Sequence, residues 1–125
     1  MGVLDYKELI IWQKSMDLAS EVYKLVKKLP REENYALSDQ IRRSVVSIPS
    51  NIAEGNSRDS TKEYDYFLSV ARGSIAELET QLILTERIGY LESDDLRKTF
   101  DLITEIRKML TKIKQNLRNK KKDNG

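Results

Sequence analysis

The side chains of this chain that could do chemistry are carboxylates, amines, hydroxyls and guanidinium groups, because the sequence contains no histidine and no cysteine. The commonest general base and the thiolate nucleophile are therefore both absent. Glu77 and Glu79 come nearest to a carboxylate metal site, but their spacing puts them on different faces of a helix. Arg42 and Arg43 have no histidine partner of the kind found in helical toxin ribonucleases. The sequence thus predicts no enzyme, no catalytic residues, no metal, no cofactor and no small-molecule substrate.

Basic residues form a second group of candidates near the C-terminal end. Residues 106–125 hold eight lysines or arginines and one acid, a net charge of +7, whereas the whole chain carries +2. Such a segment can neutralise phosphates of RNA. It can equally be a helix C-terminus that favours cations, followed by a solvated end. The candidate nucleic-acid-binding residues are Lys112, Lys114, Arg118, Lys120, Lys121 and Lys122.

A third group is a polar stripe that steps by four, three and four residues through Ser47, Asn51, Glu54 and Arg58. If the stripe is buried, each member needs a hydrogen-bond partner, and the stripe then holds helix geometry or the register between subunits. The alternatives are a contact to a ligand or RNA and a solvated face without a specific role. We predict the structural role.

Four amphipathic segments must position these residues. Apolar side chains recur at three- and four-residue spacing over about 11–29, 34–56, 60–88 and 93–119. Ser60 and Glu63 form a capping box, Gly89 suits a left-handed C-terminal cap, and Ser93 is the predicted N-cap of the fourth helix. The prediction is an all-α, antiparallel up-down-up-down four-helix bundle. Its predicted core comprises Ile41, Val45, Ile48, Ile52, Leu68, Ile75, Leu78, Leu82, Ile103 and Leu110.

A proline lies inside the second segment. The apolar period runs from Leu37 to Ile52 straight through Pro49, so a helix is predicted on both sides of it. Because proline removes a backbone donor and crowds the preceding turn, at about 3 kcal/mol in an exposed helix, the helix is expected to kink there. Ser47, Ser50 and Asn51 can supply compensating hydrogen bonds.

The third segment carries another row, nearly opposite its core row, that includes Tyr66, Val70, Gly73 and Leu84. Glycine costs about 1 kcal/mol relative to alanine inside a helix, unless its missing side chain allows another element to approach closely. We therefore predict an oligomer interface on this row. The alternative is a surface with a few tolerated apolar residues and an accidental glycine.

The whole chain is organised as one domain. We predict a four-helix bundle domain at residues 1–119 and a basic, disordered tail at residues 120–125. No apolar run approaches the roughly 20 residues of a membrane span, and neither a secretory signal nor a myristoylation signal is recognised. A cytoplasmic location without membrane contact is expected.

Several short strings of this sequence are specific in combination. The most specific is Ser-Ile-Pro-Ser-Asn-Ile-Ala-Glu-Gly, from Ser47 to Gly55. The other strings are Tyr6-Lys7-Glu8-Leu9, Trp12-Gln13-Lys14, Gln40-Ile41-Arg42-Arg43, Gly73-Ser74 and Glu77-Leu78-Glu79-Thr80-Gln81. With these strings the chain resembles, over about residues 6–118, the four-helix-bundle proteins associated with 23S ribosomal RNA intervening sequences.

This resemblance implies properties that cannot be inferred from the residue types and their spacing alone. The family has no established catalytic residues, and it is similar to accessory bundle proteins of diversity-generating retroelements, which form five-subunit rings and bind a reverse transcriptase and nucleic acid. The resemblance therefore implies a homo-oligomer, a pentamer by preference, with RNA or a nucleoprotein as partner. We expect a non-enzymatic oligomeric helical scaffold of this kind. The alternative is a purely structural protein-protein adaptor without nucleic-acid binding.

Overall fold

Four α-helices make up most of the chain. The computed structural model describes the backbone of residues 5–124 and the side chains of residues 5–120. Within that range there are no strands, and short 3-10 turns at Tyr6–Glu8 and Arg31–Glu33 precede the first and second helices. The predicted all-α four-helix fold is confirmed. The helices are α1 (Ile10–Val26), α2 (Leu37–Asn56), α3 (Thr61–Ile88) and α4 (Ser93–Asn124).

Ion pairs report the relative direction of α1 and α4. Lys28, just after α1, lies 2.9 Å from Asp95 at the start of α4, whereas Lys14 near the start of α1 lies 2.9 Å from Glu105 further along α4. The two helices therefore run antiparallel. Because the side chains of these pairs are partly exposed to solvent, the pairs contribute little to the free energy of unfolding.

The α2–α3 pair is also antiparallel and is packed closely at one end. The Ser47 and Ser74 hydroxyl oxygens lie 2.7 Å apart, while Gly55 at the end of α2 lies against Phe67 near the start of α3. A Cβ atom at Gly55 would sit 2.9 Å from the Phe67 Cβ and 3.0 Å from the Tyr64 ring. The glycine therefore permits the close approach of the two helices, since a larger residue would push them apart.

Contacts between α3 and α4 complete the arrangement. Glu79, late in α3, pairs with Arg107 at 2.6 Å, and Asp65, early in α3, pairs with Lys114 at 2.8 Å. These two helices run antiparallel as well, so each helix is antiparallel to the next in the chain. The end of the bundle that contains the α2–α3 connection therefore also contains the C-terminal end of α4.

The bundle has one apolar core, to which all four helices contribute. Every core residue predicted from the apolar spacing is fully buried, which confirms the phases of α2, α3 and α4: Ile41, Val45, Ile48, Ile52, Leu68, Ile75, Leu78, Leu82, Ile103 and Leu110. Within the described residues, no helix is long and apolar enough to cross a membrane.

Helix α2 continues through Pro49 without interruption, and the proline ring is buried. The side-chain amide of Asn51 donates to the backbone carbonyl of Ser47 at 2.7 Å and to its hydroxyl oxygen at 2.9 Å. Side-chain hydrogen bonds of this kind support the turn around a proline, as expected. The size of the kink stays a prediction.

Two predicted helix starts differ from those observed. Helix α2 begins at Leu37 rather than near residue 34, because the residues after Pro30 form a 3-10 turn. Helix α4 begins at Ser93 itself, so the predicted N-cap lies inside the first turn, where the Asp95 carboxylate accepts the Glu92 backbone N–H at 2.9 Å. This bond, together with the Lys28 ammonium group, lowers the pKa of Asp95.

The ends of α1 and α4 also differ from the predicted ones. Helix α1 ends at Val26 rather than residue 29, whereas α4 is continuous to Asn124. The predicted boundary at residue 119 therefore falls inside α4, and residues 120–124 are helical rather than disordered. Residues 118–124 contain four lysines or arginines and neither glycine nor proline, so no strong helix breaker ends α4 at its last apolar residue.

Candidate nucleic-acid interface

Lys114 is a structural residue and is not available to phosphates, contrary to the prediction. Only 2% of this residue is exposed, and its ammonium group donates to the Asp65 carboxylate at 2.8 Å, to the Asp65 carbonyl at 3.1 Å and to the Ser69 hydroxyl. Three acceptors satisfy the three donors of the ammonium group. Lys114 therefore links α4 to the second turn of α3.

The other predicted binding residues lie in different surroundings. Arg118 is largely exposed, and its guanidinium group is 3.9 Å from the Asp65 carboxylate. Lys120 is exposed further along α4, while Lys112 is exposed beside Leu9 and Ile10 near the start of α1. The side chains of Lys121 and Lys122 lie outside the described residues. Among the predicted binding residues whose side chains are described, only Arg118 and Lys120 therefore lie at the C-terminal end of α4 with accessible charges.

A cleft opens next to this end of α4, where the α2–α3 connection enters α3. We call it the aromatic cleft, and its volume is about 600 Å³. A smaller groove of about 180 Å³, lined by Thr61, Lys62, Asp65, Leu117 and Arg118, adjoins it at Lys62. The aromatic cleft is lined by Arg58, Ser60, Lys62, Glu63, Tyr66 and Phe67.

Local sequence explains how these side chains are held. The Ser60 hydroxyl accepts the Glu63 backbone N–H at 3.1 Å, which begins α3 as predicted, and Lys62 and Tyr66 then lie one turn apart. The Arg58 guanidinium group lies 5.0 Å from the centre of the Phe67 ring and 2.7 Å from the Glu54 carboxylate. Arg58 is therefore held at the wall of the cleft by an aromatic ring and a carboxylate.

The sequence alone did not identify Lys62 and Phe67 as parts of this site. It assigned Tyr66 to the predicted oligomer row and Arg58 to the polar stripe. Lys62 has no ion pair with any described residue. The available signal was the Lys62–Tyr66 spacing just after a helix cap, next to an arginine in the connection. The proximity of Arg118, however, follows only from the tertiary packing of α4 against α3.

The predicted polar stripe divides into two parts. Ser47 and Asn51 are half-buried between α2 and α3 and are joined to Ser74 by hydrogen bonds. Glu54 and Arg58 are exposed and pair with each other, and Arg58 also lines the aromatic cleft. The structural role predicted for the whole stripe thus has support only at Ser47 and Asn51.

The predicted oligomer row lies on the outer surface of α3. Tyr66 is 63% exposed, Leu84 is 44% exposed and Val70 is half-buried. A Cβ atom at Gly73 would meet nothing within 4 Å. No contact within the chain therefore requires glycine at this position.

Among the described residues, no three acidic side chains come together in a way that could hold a metal ion.

Comparisons with known families and with solved structures point to the same family. The family model described as "23S rRNA-intervening sequence protein" matches residues 7–112. A crystal structure of a protein of unknown function from Bacteroides thetaiotaomicron, described as a member of the S23 ribosomal protein family, is 30% identical with a TM-score of 0.77. The alignment covers 83% of this chain and 97% of the other. No curated protein sequence matches the chain.

Proposed function

Because the chain belongs to the family of 23S rRNA-intervening sequence proteins, we propose that it is a non-enzymatic, oligomeric helical scaffold that binds RNA or a nucleoprotein partner. The observation that carries the RNA part is the gathering of Lys62, Arg118 and Lys120 at one end of the bundle. Cations on a single end can follow a phosphate backbone, whereas scattered cations cannot. The family match itself indicates no enzymatic activity.

The oligomer part of the proposal is supported by Gly73. In this helix interior the glycine costs about 1 kcal/mol relative to alanine. No close contact within the chain compensates for this cost, because a Cβ atom at Gly73 would meet nothing within 4 Å. A neighbouring subunit that approaches the predicted row at Val70, Gly73 and Leu84 would explain the glycine, whereas Tyr66, the first residue of that row, lines the aromatic cleft. The proposed stoichiometry is a pentamer, which rests on the resemblance described above.

RNA binding is expected to be weak, largely independent of sequence and steeply salt-dependent. Each lost phosphate contact should reduce the slope of log affinity against log salt by about 0.7 for a single strand. Ending the chain after Leu117 removes Arg118 and Lys120 and should lower the affinity for RNA, while the bundle stays folded because the fully buried core residues all precede that point. Fluorescence anisotropy at several salt concentrations measures both effects.

A matched pair of point variants sharpens this test. Lys62→Gln removes a cation at the proposed interface, whereas Lys27→Gln removes an exposed cation at the opposite end of the bundle. Only Lys62→Gln should reduce the salt slope. Equal effects of the two variants, or unchanged affinity after truncation, would show that the basic end of α4 is a solvated helix end.

Substitution of Gly73 tests the oligomer. We expect Gly73→Arg to lower the mass measured by light scattering at tens of micromolar, because a long side chain would enter the proposed subunit contact, while its circular dichroism stays helical. The free energy of unfolding of isolated subunits should rise by about 0.5–1 kcal/mol in Gly73→Ala, since the position has open space within the chain. A monomeric mass for the unaltered protein would reject the oligomer, and a different ring size would reject only the pentamer.

One observation favours the adaptor as a second candidate. Three of the basic side chains in residues 106–125 pair with acids of α3: Arg107 with Glu79, and Lys114 and Arg118 with Asp65. The charge available to a polyanion is therefore smaller than the net charge of that segment suggests. If the unaltered protein fails to bind structured and single-stranded RNA at about 50 mM salt, the adaptor replaces the RNA-binding scaffold.

A further inference from the structure

We propose that the aromatic cleft is a subsite for an unpaired nucleobase of single-stranded RNA, which stacks on Tyr66. This inference rests on the RNA-binding function proposed above. It goes further because it names the residue that selects single strands and places it outside the basic end of α4. The juxtaposition that carries it is an exposed tyrosine in a cleft lined by Arg58 and Lys62, with Arg118 of α4 in the adjoining groove that shares Lys62.

The Tyr66 ring is exposed and yet held in position. Its centre lies 5.1 Å from that of Phe67, and the two ring planes meet at 79° in an edge-to-face contact. Phe67 is in turn fixed by its packing against Gly55 and by the Arg58 guanidinium group. Tyr66 is 63% exposed, and its ring is held by the contact with Phe67. Such a ring offers an accessible stacking surface and loses little side-chain entropy on binding.

The charges around the ring suit a strand that passes over it. Lys62 lies one turn before Tyr66 and also lines the groove that contains Arg118, so two cations lie on the side of the cleft that faces α4. Asp65 already receives Lys114 and Arg118, and Glu54 receives Arg58. Glu63 also lines the cleft, and its position in the first turn of α3 lets the helix dipole offset part of its charge.

The exposed Tyr66 ring favours single-stranded over double-stranded RNA. The cleft is open to solvent, with a volume of about 600 Å³, so a single base can reach the ring. In a duplex the bases are paired and stacked, and exposing one of them requires unstacking. The basic residues attract both forms through phosphates, whereas the Tyr66 ring can act only on an unpaired base.

Anisotropy measurements on the full chain test this inference. The probe is a labelled RNA of about twelve nucleotides, used as a single strand and annealed to its complement, at about 50 mM salt. We expect Tyr66→Ala to weaken binding of the single strand about tenfold, with a change under about twofold for the duplex. Tyr66→Phe should retain the affinity, because stacking does not need the hydroxyl. The control is Tyr35→Ala, which removes a ring that is 98% exposed at the opposite end of the bundle.

The salt dependence separates stacking from charge. The salt slope of Tyr66→Ala should equal that of the unaltered protein, because no phosphate contact is lost, in contrast to Lys62→Gln. Equal losses for single strand and duplex, or no loss for either, would overturn the inference and leave the RNA-binding proposal standing. A changed oligomer mass in Tyr66→Ala would overturn it too, since Tyr66 would then belong to the subunit contact. If the unaltered protein binds neither RNA, both proposals fail.

Discussion

Replacing Leu78 by alanine is expected to lower the free energy of unfolding by about 2–5 kcal/mol. Leu78 is fully buried in the middle of α3 and belongs to the single apolar core. The substitution removes apolar contacts and leaves a cavity that the tightly packed neighbours cannot fill. Chemical denaturation followed by circular dichroism, with subunits dissociated by dilution, measures the change.

The matched control for this substitution lies on the same helix. Ile83 is 42% exposed, so Ile83→Ala should change the free energy of unfolding by less than about 1 kcal/mol. A loss below about 1 kcal/mol for Leu78→Ala, or equal losses for both variants, would contradict the burial of the Leu78 side chain.

The core could be predicted because apolar spacing determines which face of a helix is buried. Leu68, Ile75 and Leu82 follow one another at intervals of seven, and a helix buries such residues on one side whatever its neighbours are. Caps were predictable where the signal is local: Ser60 accepts the Glu63 N–H, and Gly89 has a φ of 94°, in the left-handed region. These features need no knowledge of tertiary structure.

Features that depend on which helices meet were not predictable in this way. Lys114 reads as one more cation in a basic run, and only the packing of α4 on α3 places it against Asp65, 49 positions earlier in the chain. The ion pair between Lys28 and Asp95 is of the same kind, since the two residues are 67 positions apart and meet only where α1 packs on α4. Spacing along the chain carries no information on such partners.

The candidate site shows the same division. The helical phase of α3 puts Tyr66 on the row predicted to form an oligomer interface, and the residue is 63% exposed in the single chain. Its placement beside Arg58 and Lys62, with Arg118 in the adjoining groove, requires both the tight α2–α3 contact at Gly55 and the antiparallel return of α4. Whether such a residue contacts RNA or another subunit can therefore be judged only with its surrounding surface known. The first role predicts a loss of RNA affinity in Tyr66→Ala, and the second predicts a change in oligomer mass.

The second large effect is expected at Asp65. Asp65→Ala removes a carboxylate that pairs with the Lys114 ammonium group at 2.8 Å, and the remaining acceptors are the carbonyl of residue 65 and the Ser69 hydroxyl. The Lys114 side chain is only 3% exposed, so water cannot readily replace the lost carboxylate. A buried cation that loses its partner costs about 3–5 kcal/mol, and the partial exposure of Asp65 brings the expected loss to about 2–4 kcal/mol. Urea denaturation monitored by circular dichroism measures this loss.

A double variant separates the stranded charge from the loss of packing. Adding Lys114→Met to Asp65→Ala removes the unpaired ammonium group while keeping an unbranched apolar chain in its place. The double variant should therefore be more stable than Asp65→Ala alone, so that the two changes are strongly non-additive. Losses that simply add would mean that Lys114 does not depend on Asp65, and that its ammonium group reaches solvent instead of lying between α3 and α4.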